Sequence, residues 1–302
     1  MHRVPTSARA PGAPAPRVTR GKTTPNRLRG ADHFLLAYAA PLLRRADGPW
    51  RRALVIDLGY GETPGTTLEL AARLRRANPR LPLLGVEIDP RRVERALPLA
   101  GDGIAFRRGG FDLPLRHHAD GVPETVRLVR AFNVLRQYEE HEAVPAWERL
   151  AVQLLPGGLL VDGTSDPTGR VWTAALVRRP ADGEGTAVAA GAAPIAGAPA
   201  WELEALVFGA NLRCGLDPGA FQTRLPKAMI HRVVPDDPVG ALVDDWLAAC
   251  RDSRAAEVWG PRAWFAAAAR AVAARGRDVA LRPRWLRHGW LVWRRPDLVT
   301  GH

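Results

Sequence analysis

A chain of 302 residues, 46% hydrophobic and 25% charged, suits one large or two small globular domains with a substantial core. No stretch approaches the roughly 18 apolar residues of a membrane helix. Cys214 and Cys250 form neither a metal spacing nor a disulfide framework, so a cytoplasmic location is expected. The net charge of +12 rests almost wholly on arginine, since Lys22 and Lys227 are the only lysines. Such a field favours nucleic acid or another polyanion as partner, with compositional bias toward Ala, Arg, Gly and Pro as the alternative.

The first thirty residues hold seven basic side chains, five prolines and no acid, and lack the apolar core of a secretory signal. Residues 1–22 are therefore expected to be a disordered basic tail. Residues 23–52, with "HFLLAYAAPLL", read as an ordered entry with a helix beside the core. Ala53–Leu58 is a short β-branched run bounded by glycine, a buried strand. Thr66–Ala77 reads as a helix with Leu70, Leu74 and Ala77 on one face, and "LPLLGVEID" as the next strand. Asp89 stands at an N-cap and Pro90 at the first position of a helix running through Leu97. "GIAFRRG" and "TVRLVRAF" are a third and fourth strand. Val144, Trp147, Leu150 and Leu154 step at helical spacing, and "PGG" is expected to stop that helix before the strand "GLLVDG". Strand–helix alternation of this kind implies an α/β fold, a doubly wound and mostly parallel sheet.

The stretch "ALVIDLGYGETPGTT" (53–67) thus ends the first strand and opens the first helix, where such sheets bind ligands. It has no phosphate-gripping GxxxxGK[ST] loop, and Pro64 breaks a GxGxxG dinucleotide fingerprint. Asp57 followed by Gly59 and Gly61 resembles motif I of class I S-adenosylmethionine (SAM)-dependent methyltransferases. Glu87, in "GVEIDP", stands where that family grips the ribose hydroxyls, and a carboxylate accepts two hydrogen bonds from a vicinal diol. "RRGGFDLPL" (107–115) resembles the family's adenine loop. Gly110 holds the place of a common aspartate, which leaves Phe111 for the adenine face and Asp112 for its amine. "RAFNVLRQY" (130–138) resembles the segment after the fourth strand in chemotaxis-receptor and related methyltransferases, with Asn133 toward the methionine end and Tyr138 toward the substrate. Core packing for Phe111, a turn for Asp112 and a cap for Asn133 are the structural alternatives.

The resemblance implies a SAM-binding core over residues 53–165, with cofactor contacts from Asp57, Gly59, Tyr60, Gly61, Glu87, Ile88, Phe111, Asp112 and Asn133. It implies a SAM-dependent methyltransferase whose acceptor is open, RNA or another polyanion being modestly favoured by charge. No "NPPY" or "DPPY" follows the fourth strand, which lowers methylation of exocyclic base amines. Tyr138, His141 and His118 are candidate general bases, needed only if the nucleophile must lose a proton early. No metal set is present: His117 and His118 adjoin Asp120, but adjacent histidines point apart. A non-catalytic SAM-binding partner protein and a nucleic-acid-binding module without cofactor remain as rivals.

Residues 166–302 are expected to complete the sheet as an elaborated C-terminal half and to form the substrate face. "VWTAALVRR" and "ELEALVFGANL" read as strands flanking a spacer in which 16 of 21 residues are Ala, Gly or Pro. Helices are expected at 238–250 and 261–275, each opened by proline. Six of ten tryptophans follow residue 245. With Arg287 and Arg294, the terminal Trp285, Trp290 and Trp293 fit base stacking or, more commonly, core packing with arginines at the rim. "FQTRLPKAMIHR" (221–232) reads as a substrate-facing loop or a solvated charge run.

Overall fold

A computed structural model describes residues 17–18, 24–181 and 201–294. Most of the expected tail (1–16 and 19–22) and most of the Ala/Gly/Pro spacer (182–200) lie outside the described residues. Eight strands form one sheet: β1 (Leu54–Leu58), β2 (Leu83–Glu87), β3 (Ile104–Arg108), β4 (Val126–Phe132), β5 (Leu154–Ser165), β6 (Val171–Arg178), β7 (Glu202–Ala210) and β8 (Trp290–Trp293). Their spatial order is β3-β2-β1-β4-β5-β6-β7-β8. The first five are parallel and the last three antiparallel, a mostly parallel α/β sheet as expected.

Helices cover both faces, so β1, β2 and β4 are buried throughout and read as near-continuous apolar runs. Alternation along β1 sends Val55 to one face and Ile56 to the other. Val55 joins Phe34 and Leu35 of α1 (Arg29–Tyr38), Leu43 of α2 (Ala40–Arg44) and Leu70 of α3 (Gly65–Leu74). Ile56 joins Trp147 of α5 (Glu140–Ala151), Trp246 of α6 (Pro238–Asp252) and Phe265 of α7 (Pro261–Ala274). The short α4 (Pro90–Ala96) follows β2 with the expected cap: Asp89 accepts from the Arg91 N–H at 2.8 Å, and Pro90 takes the first position.

One expectation is corrected. The helix before β5 ends at Ala151, and "PGG" lies inside the strand rather than before it. Gly157, at φ +83°, lets the backbone bend there, and its N–H bonds the Arg179 carbonyl of the β6 side at 2.8 Å. The terminal tryptophans are core: Trp285, Trp290 and Trp293 are buried, and the first two pack edge-on against Phe34. The sheet closes as a meander in which β6, β7 and β8 follow β5 in sequence. Among the described residues, no helix is long and apolar enough to cross a membrane.

Two arginines of β4 are wholly buried. Arg127 donates to the carbonyls of Leu42, Leu43, Arg45, Trp50 and Ala53, so it closes the C-terminal end of α2 and the turn that leads into β1. Burial pulls its guanidinium down to about 10. Arg130 lies between two acids. It contacts Asp57 of β1 at 2.8 Å, pairs with Asp32 of α1, and donates to the Thr66 carbonyl of α3 at 3.1 Å. Asp32 in turn accepts from Arg73 of α3 at 2.6 Å. Burial works against both charged forms. It raises the Asp32 carboxyl, with Arg130 and Arg73 opposing. At Arg130 the burial effect is more than offset by Asp32 and Asp57, which hold the guanidinium above its ordinary value.

Replacing Arg130 by Met leaves the buried Asp57 carboxylate without a counter-charge and Asp32 with Arg73 alone, and should cost about 3–5 kcal/mol of unfolding free energy at neutral pH. The triple variant Arg130→Met, Asp32→Asn, Asp57→Asn should recover part of that loss, because no charge is left unpaired. Urea titration measures both; a loss below about 1 kcal/mol for Arg130→Met would contradict the network.

Asp162 of β5, facing α5, is also buried. Its carboxylate accepts from Trp147 Nε1 at 3.1 Å, and burial pushes it up to about 7. An acid whose folded value is raised favours the native state below its unfolded value, near 3.9, and loses that advantage as pH rises to about 7. The Asp162→Asn variant should therefore gain on wild type by about 2–3 kcal/mol between pH 5 and pH 8. Urea midpoints at the two pH values test this, and a pH-independent difference would contradict it.

Candidate active site

The carboxyl ends of β1, β2 and β4 meet where the chain first reverses its order across the sheet, the crevice in which open α/β sheets bind ligands. Two cavities adjoin there. A narrow cleft is lined by Gly59, Glu87, Ile88, Gly110, Phe111 and Tyr138, among others. Beside it lies a larger, open cavity of about 1260 Å³, walled in part by Asn133, Ser165, Arg27, Arg136 and Arg224. Arg17 borders both.

The loop after β1 takes its shape from Asp57. The Asp57 carboxylate accepts from the hydroxyls of Thr66 at 3.0 Å and Thr67 at 2.7 Å, both in the first turn of α3, while its other oxygen meets Arg130. Asp57 is thus buried beneath the loop and does not line the cleft. The resemblance had implied a direct cofactor contact, but its acceptor atoms are used to tie strand to helix. Gly59 and Gly61 have φ of +68° and +89°, conformations that disfavour a side chain and let the chain double back toward β2. The Gly59 N–H bonds the Val86 carbonyl at 2.7 Å, and the Gly61 N–H donates to Glu87 Oε2 at 3.0 Å.

Glu87 ends β2 with its side chain buried against the cleft. Its Oε1 accepts from the backbone N–H groups of Ile88 at 2.9 Å and Asp89 at 3.3 Å, and Arg92 of α4 stands 3.6 Å from Oε2. These partners fix the plane of the carboxylate. Ile88 lies beside it on the cleft wall.

Opposite, Phe111 is buried on the wall with its ring 5.2 Å from that of Tyr138. Gln153, just beyond α5, holds this loop at both ends: it donates to the Phe111 carbonyl at 2.7 Å and accepts from the Leu113 N–H at 2.8 Å. Asp112 is drawn elsewhere. Its carboxylate forms a two-pronged ion pair with Arg149 of α5 and is exposed, where the resemblance implied a place at the adenine amine. Tyr60 also turns away, packing edge-on against Phe106 in a small cluster with Ala96. Its buried hydroxyl has no hydrogen-bond partner among the described residues.

Asn133, at φ +60°, stands on the larger cavity rather than the cleft. Its side chain bonds Ser165 twice, to the N–H at 3.0 Å and the hydroxyl at 3.2 Å, and so clips the end of β4 to the end of β5. Of the three candidate bases, Tyr138 is at the cleft, but burial raises its phenol and its oxygen accepts from the Arg17 N–H at 2.7 Å. His141 is exposed on the first turn of α5. His118 lies in the segment that returns to the start of β4, next to the Arg52–Asp120 ion pair and toward the amino ends of the strands. That placement removes it from the site. Among the described residues no three His, Cys, Asp or Glu side chains cluster as a metal set.

Several residues of the site carried no signal in the sequence. Arg17, inside the expected disordered tail, has its guanidinium 5.2 Å from the Tyr138 ring centre and pairs with Glu142 at 3.1 Å. An aromatic face and an acid hold this arginine of the expected tail. Gln153 and Ser165 were unremarkable by type. Arg130 was legible in principle, as a lone charge inside an apolar strand needs a buried partner.

No family model matches this sequence, and no curated protein matches it. Among solved structures the chain is similar to the plantazolicin methyltransferase BpumL in complex with a triazolic desmethylPZN analog and SAH. The identity is 13% over 47% of this chain and 48% of that one, with a TM-score of 0.35. It is similar to magnesium protoporphyrin IX methyltransferase (ChlM) from Synechocystis PCC 6803 with bound SAM, at 19% identity over 46% and 60% of the two chains and a TM-score of 0.32. N-methyltransferase NodS from Bradyrhizobium japonicum WM9 gives 20%, 46%, 68% and 0.30 in the same order. The chain spans about half the length of the plantazolicin enzyme, and likenesses at these scores assign no function to it.

Proposed function

We propose that the protein is a SAM-dependent methyltransferase. The observation that carries this reading is Glu87: a backbone-clamped carboxylate at the end of β2, facing a cleft that Gly59, Ile88 and Phe111 also line. A fixed carboxylate between apolar walls suits a nucleoside, since the acid accepts from a ribose diol and the walls flank a flat base. Ile88 and Phe111 would hold the adenine and Glu87 the ribose. Gly59, without a side chain, would admit the methionine end.

Bound SAM supplies a sulfonium methyl group already activated for transfer. The chain then needs to align the acceptor and exclude water, with no nucleophile of its own. Phe111 and Tyr138 supply the apolar cover. The acceptor would enter from the larger cavity, which meets the cleft at Arg17. The raised phenol of Tyr138 stays protonated at neutral pH, so it orients rather than removes a proton. Two free cysteines, Cys214 and Cys250, fit a reducing compartment such as the cytoplasm.

Titration calorimetry with S-adenosylhomocysteine tests the reading. Wild type should bind, and Glu87→Ala should weaken binding by about 1.5–3 kcal/mol, the scale of a hydrogen bond to a charged group. Unchanged affinity in a folded Glu87→Ala protein, or no binding by wild type, would contradict the assignment. Phe111→Ala should also weaken binding, while Asp112→Ala, which removes only the exposed pair with Arg149, should leave it within about twofold.

A further inference from the structure

The larger cavity is cationic by construction. Arg27 precedes α1, Arg136 follows β4 and Arg224 ends a 3-10 turn after β7, so three separate segments bring guanidinium groups to one concavity. Arg92 lines the same cavity, and Arg17 stands at its border with the cleft. Glu139 is the one acid on the described lining, and its carboxylate caps the first turn of α5. Asp166, near Arg27, spends one oxygen on the N–H groups of Thr168 at 3.1 Å and Arg170 at 2.9 Å.

Arg27 is held rigidly. Its Nε donates to the Ser165 hydroxyl at 3.0 Å and to the Asp166 carbonyl at 2.9 Å, and its Nη2 donates to the Ser165 carbonyl at 3.0 Å. Arg136 and Arg224 have no carboxylate partner among the described residues, in contrast to Arg232, which pairs with Asp237 at 2.8 Å. Burial, opposed by Asp166, and then the neighbouring Arg136 and Arg224 lower the Arg27 guanidinium; burial and then Arg224 lower that of Arg136. These three cations therefore repel one another across the cavity, and a bound anion would relieve that repulsion.

We infer that this cavity binds the phosphate group of a phosphorylated small-molecule acceptor, with Arg136 and Arg224 as its principal ligands and Arg27 as a fixed third cation. A dianion matches three converging guanidiniums better than a single carboxylate does, and arginine forks suit phosphate oxygens. The concave placement, at the strand ends and next to the cleft, fits a compact ligand. Nucleic acid would need a stripe of cations along an open face. The word acceptor rests on the methyltransferase reading; anion binding by itself does not.

The test is calorimetry on the full chain without cofactor, using phenyl phosphate, benzoate and a mixed RNA pool as probes. Wild type should bind phenyl phosphate, and Arg136→Gln and Arg224→Gln should each weaken it about tenfold or more, the low end expected for a charged hydrogen bond. Arg80→Gln, on the exposed turn before β2, should match wild type, and urea midpoints confirm that each variant is folded. Absent phenyl phosphate binding, benzoate bound as tightly, or losses no larger than that of Arg80→Gln would overturn the inference. RNA binding insensitive to Arg136→Gln and Arg224→Gln, with phenyl phosphate unbound, would overturn it in favour of a nucleic-acid surface elsewhere. S-adenosylhomocysteine titrated into the same proteins separates the two claims. Its binding alone keeps the methyltransferase reading without this site, and phenyl phosphate binding alone keeps the site without that reading.

Discussion

The buried Arg130 guanidinium is the point from which the cleft is built. It stands in a central strand between the carboxylates of Asp57 and Asp32, and through them joins β4 to β1, to α1 and to α3. An unpaired charge at that depth costs several kcal/mol, so the three groups must be placed together or not buried at all. Such an arrangement need not stabilise the fold more than an apolar core of the same volume would. What it adds is position: Asp57 is held where it can also accept from Thr66 and Thr67, which sets the start of α3 against the end of β1.

The shape of the cleft wall follows from that position. With α3 fixed, the chain from Gly59 to Gly65 must cross the sheet edge in few residues, and the two positive-φ glycines allow it to turn back on β2. The returning Gly61 N–H then meets Glu87, and the Ile88 and Asp89 N–H groups meet the same carboxylate from its own strand end. Asp57 and Glu87 are thus unlike in role although both are acids at strand ends. The first is consumed by structure, and the second faces the cleft.

Much of the scaffold was legible in the sequence because its signals are local. β-Branched apolar runs gave the strands, and Asp89–Pro90 marked the start of α4. The pattern of acids and glycines at two successive strand ends brought Gly59, Gly61 and Glu87 together correctly. What was not legible depends on partners distant in sequence. Asp112 looked like a ligand to the adenine amine until Arg149, a full helix later, claimed it. Tyr60 adjoins two glycines of the loop, yet the hollow beside Phe106 takes its ring. Arg17 sits in a stretch whose composition predicts disorder, and only the Tyr138 face and Glu142 explain its placement. The arginine-lined cavity is likewise assembled from residues 27, 136 and 224, which no spacing rule connects.

The central claim is that the cleft between Glu87 and Phe111 holds the adenosine of SAM. Photolabelling with 8-azido-S-adenosylmethionine followed by peptide mapping tests it most directly, since the reactive group reports where the base lies. The account predicts labelling confined to the segments around Ile88 and Phe111, suppressed by excess S-adenosylhomocysteine. Labelling elsewhere, or labelling at these segments that S-adenosylhomocysteine does not suppress, would contradict it.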